Sequence, residues 1–261
     1  TPSDFPLAYL DRSQLDALVS AHAGTPGVRR PIEDVYPLSP MQQGMLFHTL
    51  YAPRAGTYVS QISGRILGGF DPAAFRGAWA ELLARHPILR SSFHWEGLSQ
   101  PLQVVDRQTE VPLEWQDWRG LPESVQRERL ANHLRQDLAR GFHLGEPPLL
   151  RLLLAREGEG RHRLVWSNHL ILMDGWSHAI LVRELLGLYE ALSQGRAPGL
   201  TMPPPYRDYI SWLMRQGTRE AEAFWRRELA GLEATTPLPG DRGPGDQSEI
   251  QQSRIRTLLS P

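Results

Sequence analysis

A histidine and an acidic residue lie close together in residues 167–177, which read SNHLILMDGWS. His169 interrupts an apolar run that ends at Asp174, and Gly175 and Trp176 follow. A histidine can take up or release a proton near neutral pH, and a carboxylate can orient such a group or bind a cation. The same pattern also fits a buried strand with one hydrogen-bonded histidine and an aspartate that caps the next helix. Both interpretations are open at this point.

Two familiar kinds of catalytic site find little support in this stretch. A zinc site made by His169, Asp174 and His178 would have a ligand spacing that matches no helical or CxxC-type pattern, and a strand, a turn and a helix would separate the three. A serine hydrolase of the Ser-His-Asp type would be expected to carry a G-x-S-x-G sequence, which the chain lacks. The chemistry open to His169 and Asp174 therefore depends on the elements that position them.

Hydrophobic periodicity predicts how this stretch folds. Residues 161–173 are predicted to form a strand, Asp174 and Gly175 a turn, and residues 176–192 a helix. Asp174 then lies at the N-terminus of the helix, where its negative charge is favourable and its carboxylate can accept a backbone hydrogen bond.

The rest of the chain alternates predicted helices and strands. Helices are predicted near residues 11–21, 40–51, 73–85, 122–140 and 206–232, and strands near residues 57–68, 88–95, 100–105, 149–155 and 251–259. The sequence has neither a Rossmann nor a P-loop glycine signature. We expect an α/β fold in which helices pack on a mixed sheet.

The composition argues against several other classes of protein. The 261 residues carry a net charge of −1, so nothing indicates a nucleic-acid or membrane-surface partner. Cysteine is absent, which excludes disulfides, thiolate catalysis and cysteine-based metal sites. No apolar run approaches the roughly 20 residues of a membrane helix, and the first residues do not resemble a signal sequence. We expect a cytoplasmic protein or a piece of one.

Residues 167–177 resemble the H-H-x-x-x-D-G motif of condensation domains from nonribosomal peptide synthetases. Four further stretches resemble other motifs of that family, in the family's order. They are LSPMQQGMLFH at 38–48, RHPILRSSF at 85–93, YRDYISWL at 206–213 and AFWRRELAGLEATTPL at 223–238. The sequence MQQGMLFH at residues 41–48 is typical of domains that join a D-configured donor to an L-configured acceptor. Five ordered resemblances make this a specific identification.

The resemblance implies a fold and a division of the chain. The family's fold has two chloramphenicol-acetyltransferase-like halves, each a sandwich of helices on a mixed, largely antiparallel sheet, with a tunnel between them. We therefore expect residues 1–33 to be a linker that follows a carrier domain. Residues 34–236 would be the N-terminal subdomain, and residues 237–261 a linker and the first strand of a C-terminal subdomain whose remainder is absent.

The resemblance also implies partners. Upstream and downstream peptidyl carrier domains would bring phosphopantetheine arms to opposite ends of the tunnel, and an adenylation domain would be a neighbour. The chain itself would need no dissociable cofactor and no metal, because the phosphopantetheine arm belongs to the carriers.

The chain departs from the motif at one position. An ungapped alignment gives Asp174 and Gly175 the D-G positions, His169 the first histidine position and Leu170 the second. The family's second histidine is assigned to catalysis, either as a general base toward the acceptor amine or as its hydrogen-bonding anchor, and leucine can serve as neither. An alternative takes Asn168 and His169 as the pair, with one residue inserted. Strand alternation disfavours it, because the catalytic position shares a face with Asn168 and not with His169.

The resemblance gives the remaining motif residues structural roles. His169 would pack and form hydrogen bonds beneath the motif, and Asp174 would pair with an arginine, expected in the other half. Gly175 would keep a side chain out of the tunnel or let the backbone approach the substrate.

Three functions are open at the level of sequence. The first is an amide-forming condensation domain that Leu170 leaves inactive or impaired. The second is an epimerisation domain, which shares the fold and the motif, although the D-G-W-S and MQQGMLFH wordings favour condensation. The third is a non-catalytic domain that still docks carrier domains.

Overall fold

The computed structural model describes residues 1–23, 31–51 and 58–232, in two compact units, Thr1–Gln216 and Gly217–Pro261. The helices of the first unit are α1 (Arg12–Ala23), α2 (Pro40–Tyr51), α3 (Pro72–Arg85), α4 (Glu123–Arg140), α5 (Gly175–Ser193) and α6 (Tyr206–Arg215). Its strands are β1 (Ile32–Pro37), β2 (Val59–Leu67), β3 (Ser91–His94), β4 (Leu102–Asp106), β5 (Leu113–Asp117), β6 (Leu150–Gly158) and β7 (Arg161–His169). The described residues of the second unit form helix α7 (Thr218–Glu228).

The strands form two sheets. The smaller sheet has the order β1-β4-β3 and is antiparallel throughout. The larger sheet has the order β2-β7-β6-β5, in which only the β5–β6 pair is parallel. The predicted α/β fold with a mixed, largely antiparallel sheet is confirmed.

The larger sheet is covered on both faces. On one face Trp166 of β7 meets Trp79 of α3 edge to face, with ring centroids 5.0 Å apart. On the other face its neighbour Val165 packs with Leu134 of α4 and Trp118. Successive residues of a strand point to opposite faces, so β7 is central to both layers of the core.

The C-terminal end of β7 differs from the prediction. The strand ends at His169 instead of Met173, because the chain turns there: the amide of Leu172 donates to the carbonyl of His169 (3.2 Å) and the amide of Met173 to that of Leu170 (3.2 Å). The side chains of residues 171–173 are all buried in the main core. A continuing strand would send them alternately to the two faces, so a turn is the conformation that buries all three together.

Other boundaries also differ from the predictions. Residues 87–90 form a short 3₁₀ helix before β3, and the helix predicted over residues 206–232 is interrupted at Gln216 and Gly217, where the backbone is extended. Strands β1 and β5 were not predicted. The strand predicted near 251–259 and the C-terminal segment 237–261 lie outside the described residues.

The N-terminal segment packs against the smaller sheet within the first unit. Leu18 of α1 and Ala8 join a buried cluster with Val35, Leu102 and Val104 of the smaller sheet. At the end of α1 the buried ring of His22 places Nε2 2.5 Å from Oδ1 of Asp106, on β4. Residues predicted to be a linker therefore cover one face of the smaller sheet. The boundary at residue 34 and the other predicted domain limits stay predictions.

We predict that truncating this packing destabilises the chain. Leu18 is 2% exposed, so Leu18→Ala removes buried apolar contacts and is expected to lower the free energy of unfolding by about 2–3 kcal/mol. Val19, on the same helix, is 45% exposed, and Val19→Ala is the matched control with an expected effect of about 0.5 kcal/mol or less. Urea denaturation of both variants measures the difference. Equal effects would mean that α1 does not depend on its contact with the sheet.

Candidate active site

His169, the last residue of β7, is held by hydrogen bonds on both ring nitrogens. Its side chain is 3% exposed. The backbone N–H of Ile171 donates to Nδ1 (3.1 Å), and Nε2 lies 3.4 Å from Oγ1 of Thr49 on α2. Because Nδ1 accepts, the ring hydrogen is on Nε2. Thr49 Oγ1 donates to the carbonyl of Met45 (2.8 Å) and can still accept from this hydrogen.

Burial keeps this imidazole neutral. Desolvation lowers the pKa of His169 from its usual 6.5 to about 4. At neutral pH the ring is uncharged, and its single lone pair is occupied by the Ile171 amide. His169 is thus a structural acceptor at the end of the strand.

Leu170 is the first residue beyond the strand. Its amide donates to the carbonyl of Tyr58 (2.8 Å), which extends the β2–β7 pairing by one residue. Its side chain is half-buried, whereas Ile171, Leu172 and Met173 are fully buried. Leu170 is therefore the most accessible side chain among residues 170–173.

Asp174 caps helix α5. Its Oδ1 accepts from the backbone N–H of Ser177 (2.8 Å) and from the Ser177 hydroxyl (2.7 Å). The Ser177 amide, followed by its hydroxyl, holds the pKa of this carboxyl below its usual range. The resemblance predicts that Asp174 pairs with an arginine in the other half of the domain. Among the described residues, no arginine lies within ion-pair distance of it.

Gly175 begins α5 with open space around it. A Cβ built at this position would meet no described atom within 4 Å. The described part of the chain therefore supplies no steric reason for glycine here, and the expected roles of Gly175 toward a tunnel or a substrate stay predictions.

Two polar residues beneath the turn form a contact that was not predicted from the sequence. Asn168 of β7 is fully buried and His178 of α5 nearly so. Oδ1 of Asn168 lies 2.9 Å from Nε2 of His178, and Nδ1 of His178 lies 2.9 Å from the carbonyl oxygen of Asp174. Nδ2 of Asn168 donates to the carbonyl of His169 (3.4 Å). A polar residue, Asn168, on the strand face that Trp166 also occupies is the signal that could have revealed this pair.

The geometry around His178 does not form a metal site. Its Nδ1 faces the backbone carbonyl of Asp174, whose carboxylate is turned to Ser177. In residues 1–23, 31–51 and 58–232 no group of three or more His, Asp or Glu side chains has the geometry to hold a metal ion.

Two arginines in the stretch at residues 85–93 connect neighbouring elements of the fold. Arg85 forms an ion pair with Glu184 of α5 (3.1 Å) and donates to the carbonyls of Leu200 (3.2 Å) and Thr201 (2.7 Å). Arg90 donates to the carbonyl of Leu83 (2.8 Å) and contacts the carbonyl of Asp106. These arginines tie α3, α5 and β4 together.

Comparison with known proteins identifies the family. The family model for the condensation domain matches residues 32–261. The chain is 42% identical over 260 residues to one of the linear gramicidin synthase proteins of Brevibacillus parabrevis, across 100% of this chain and 5% of the relative. It is 38% identical over 213 residues to surfactin synthase subunit 2 of Bacillus subtilis, across 81% of this chain and 6% of the relative. The chain belongs to the condensation domain family.

Solved condensation domains share the fold. A variant of the starter condensation domain of rhizomide synthetase superposes with a TM-score of 0.67 at 19% identity, over 76% of this chain and 48% of that one. The first condensation domain of the CDA synthetase superposes with a TM-score of 0.62 at 22% identity, over 76% and 51%. The chain spans about half the length of these structures and about a twentieth of the length of the synthase proteins.

Membership places this chain among the condensation domains of nonribosomal peptide synthetases. The relatives that it matches include linear gramicidin synthase, bacitracin synthase and surfactin synthase proteins. In the part of the chain that the structure describes, no helix combines the length and the hydrophobicity needed to cross a membrane.

We predict that the stability of the condensation domain falls with acidification between about pH 6.5 and pH 4. The pKa of His169 is lowered to about 4 by burial, and the pKa of His94 is lowered to about 4 by burial and then by His22. In this window the unfolded chain binds more protons than the folded one. The stabilisation is therefore complete above pH 6.5 and is lost as the pH falls through 4.

Urea denaturation from pH 7.5 to pH 4 tests this with His169→Asn, whose Oδ1 can replace Nδ1 as the acceptor without titrating. We expect a smaller loss of stability than in the unsubstituted chain. His143 is exposed, so His143→Asn should leave the profile unchanged. If stability depends on pH in the same way in His169→Asn as in the unsubstituted chain, the lowered pKa assigned to His169 is wrong.

Proposed function

We propose that this chain is the N-terminal part of a condensation domain that joins two carrier-bound substrates. The amine nitrogen of the acceptor attacks the thioester carbonyl of an aminoacyl or peptidyl donor. A C–N bond forms and the C–S bond breaks, while the proton lost by the amine passes to a base and the leaving thiolate takes up a proton. The MQQGMLFH wording supports a D-configured donor and an L-configured acceptor.

The proposal includes the partners and location expected from the resemblance. Peptidyl carrier domains upstream and downstream would supply both substrates on their phosphopantetheine arms, next to an adenylation domain, in the cytoplasm. The chain would need no cofactor or metal of its own. Family membership and the relatives among large synthase proteins support this arrangement.

We infer that Leu170 leaves the domain inactive or strongly impaired, and one observation carries this inference: the described motif turn offers no free base. The side chain of Leu170 has no lone pair. Both ring nitrogens of His169 have hydrogen-bonding partners within 3.4 Å, and both of His178 have partners at 2.9 Å. The hydrogen bonds from Ser177 lower the pKa of Asp174, which makes its carboxylate a weak base.

The size of the loss follows from the share of catalysis that a positioned base supplies. General base catalysis contributes about 10²–10⁴-fold, which corresponds to roughly 3–5 kcal/mol. Holding two tethered reactants in a reactive geometry can contribute about 7–11 kcal/mol. A domain that keeps its binding surfaces is therefore expected to retain slow turnover.

We predict that Leu170→His restores amide formation. The test uses the complete condensation domain that contains this chain, with two loaded carrier domains, and measures the single-turnover rate of amide formation. The expected increase is at least tenfold, because an imidazole at this accessible position can accept the amine proton.

Two further variants show which property of the histidine matters. Leu170→Gln can anchor the amine by a hydrogen bond but is no base, and Leu170→Met changes neither property. If only Leu170→His raises the rate of amide formation, the histidine acts as a general base. If Leu170→Gln raises the rate as well, the residue acts by hydrogen bonding to the amine. If His and Met give the same rate as Leu, the assignment of position 170 is wrong.

A carrier-docking domain without catalysis is the second candidate, and the absence of a free base at the described turn supports it. Titration of loaded carriers onto the unsubstituted domain distinguishes the two: binding without product, at any incubation time, supports docking. Loss of Cα stereochemistry on a single loaded carrier would instead support an epimerisation domain.

A further inference from the structure

The buried pair of Asn168 and His178 connects the two ends of the motif turn. Asn168 is the residue before His169 on β7, and His178 lies in the first turn of α5. Through His178, the pair reaches the carbonyl oxygen of Asp174 at 2.9 Å, and through Asn168 it reaches the carbonyl of His169 at 3.4 Å. The central contact between the two side chains is 2.9 Å. One chain of hydrogen bonds thus crosses beneath residues 170–173.

We propose that Asn168 and His178 are positioning residues that hold the motif turn and thereby set where the side chain of residue 170 lies during the reaction. This inference rests on the proposed function for its catalytic consequence. Its structural part, the bracing of the turn, stands on the geometry alone.

Burying two polar side chains here costs free energy that an apolar pair would avoid. Asn168 is fully buried, and the ring of His178 lies against Trp166, with centroids 5.3 Å apart. A buried polar group is tolerated when its hydrogen bonds are made, and removing one partner leaves the other unsatisfied. The turn itself has few backbone hydrogen bonds, from the amides of Leu170, Leu172 and Met173. The amide of Ile171 donates to Nδ1 of His169, and its carbonyl accepts from Nε2 of Gln42 (3.1 Å). The side-chain bridge adds the contacts that tie together the carbonyls at the two ends of the turn.

The directions of the hydrogen bonds explain why these residue types fit. The carbonyl of Asp174 can only accept, so Nδ1 of His178 carries a hydrogen. This carbonyl also accepts the helical bond from the His178 amide (3.1 Å), so both of its lone pairs are used. Asn168 presents its amide oxygen to Nε2 of His178 and its amide NH₂ to the carbonyl of His169, so one side chain supplies both the acceptor and the donor that the bridge requires. Leucine or alanine at either position could not make this bridge.

Amide hydrogen exchange of the chain tests the bracing without an activity assay. In His178→Leu, exchange at Leu172 and Met173 is expected to accelerate roughly tenfold, the effect of losing about one buried hydrogen bond. Amides of β1 and β4 should exchange as before. Arg183 is exposed on the same helix, so Arg183→Leu is the matched control and should change neither region.

Two shape-matched variants separate the halves of the bridge. The amide of His178→Asn can replace Nδ1 and keep the contact to Asp174, and that of His178→Gln can replace Nε2 and keep the contact to Asn168. We expect both to accelerate exchange less than His178→Leu does. If His178→Leu does not fold, His178→Asn and His178→Gln still test the proposal. Unchanged amide exchange at the turn in both variants would overturn it.

Kinetics in the complete domain carrying Leu170→His test the catalytic consequence. Adding His178→Leu should lower kcat roughly tenfold or more and leave the KM for the loaded acceptor carrier within about twofold, because a misplaced base affects the transition state and not carrier binding. Unchanged kcat together with faster exchange would mean that the pair braces the turn without positioning the reacting group, which overturns the proposal. If Leu170→His alone restores no activity, the proposed function fails while the exchange result still decides the bracing.

Discussion

The burial of three consecutive side chains, Ile171, Leu172 and Met173, is the constraint on which the candidate site depends. All three belong to the main core beneath the larger sheet. Full burial of such a side chain contributes about 1.5–3 kcal/mol, so this segment is firmly fixed. A strand cannot send consecutive side chains to one side, and β7 therefore ends at His169 and turns into α5. The turn leaves Leu170 half-buried between a buried histidine and a buried core segment.

The polar groups around this turn are engaged in holding it. His169 accepts from the backbone beyond the strand, Asp174 caps α5, and the Asn168–His178 pair joins the carbonyls at both ends. Because these hydrogen bonds occupy the polar groups of the motif, the described turn has no free base, although its sequence resembles a catalytic motif. In the proposed function this turn would present a reactive group at position 170, where this chain has a leucine.

The elements that were predicted from sequence are those with strong local signals. The cap and proline at Asp71 and Pro72 marked the start of α3, and Gly141, at a positive φ of 60°, marked the end of α4. Strands β1 and β5 were missed because their pairing partners, β4 and β6, come from distant parts of the chain. The segment before residue 34 was predicted to be a linker because the resemblance places it after a carrier domain; its packing on the smaller sheet depends on contacts with β1 and β4.

By itself the sequence determined the family, through five ordered motifs, and the identity of the residue at position 170. The sequence also predicted that Asn168 and His169 point to opposite faces of β7, because the two-residue alternation of a strand is a local property. Only the tertiary structure decided where the strand ends, which nitrogens of His169 and His178 are occupied, and that Asn168 lies against His178. Those outcomes depend on which side chains the core can bury together and which carbonyls then lie within hydrogen-bonding distance. Both arise from contacts between segments that no local pattern specifies.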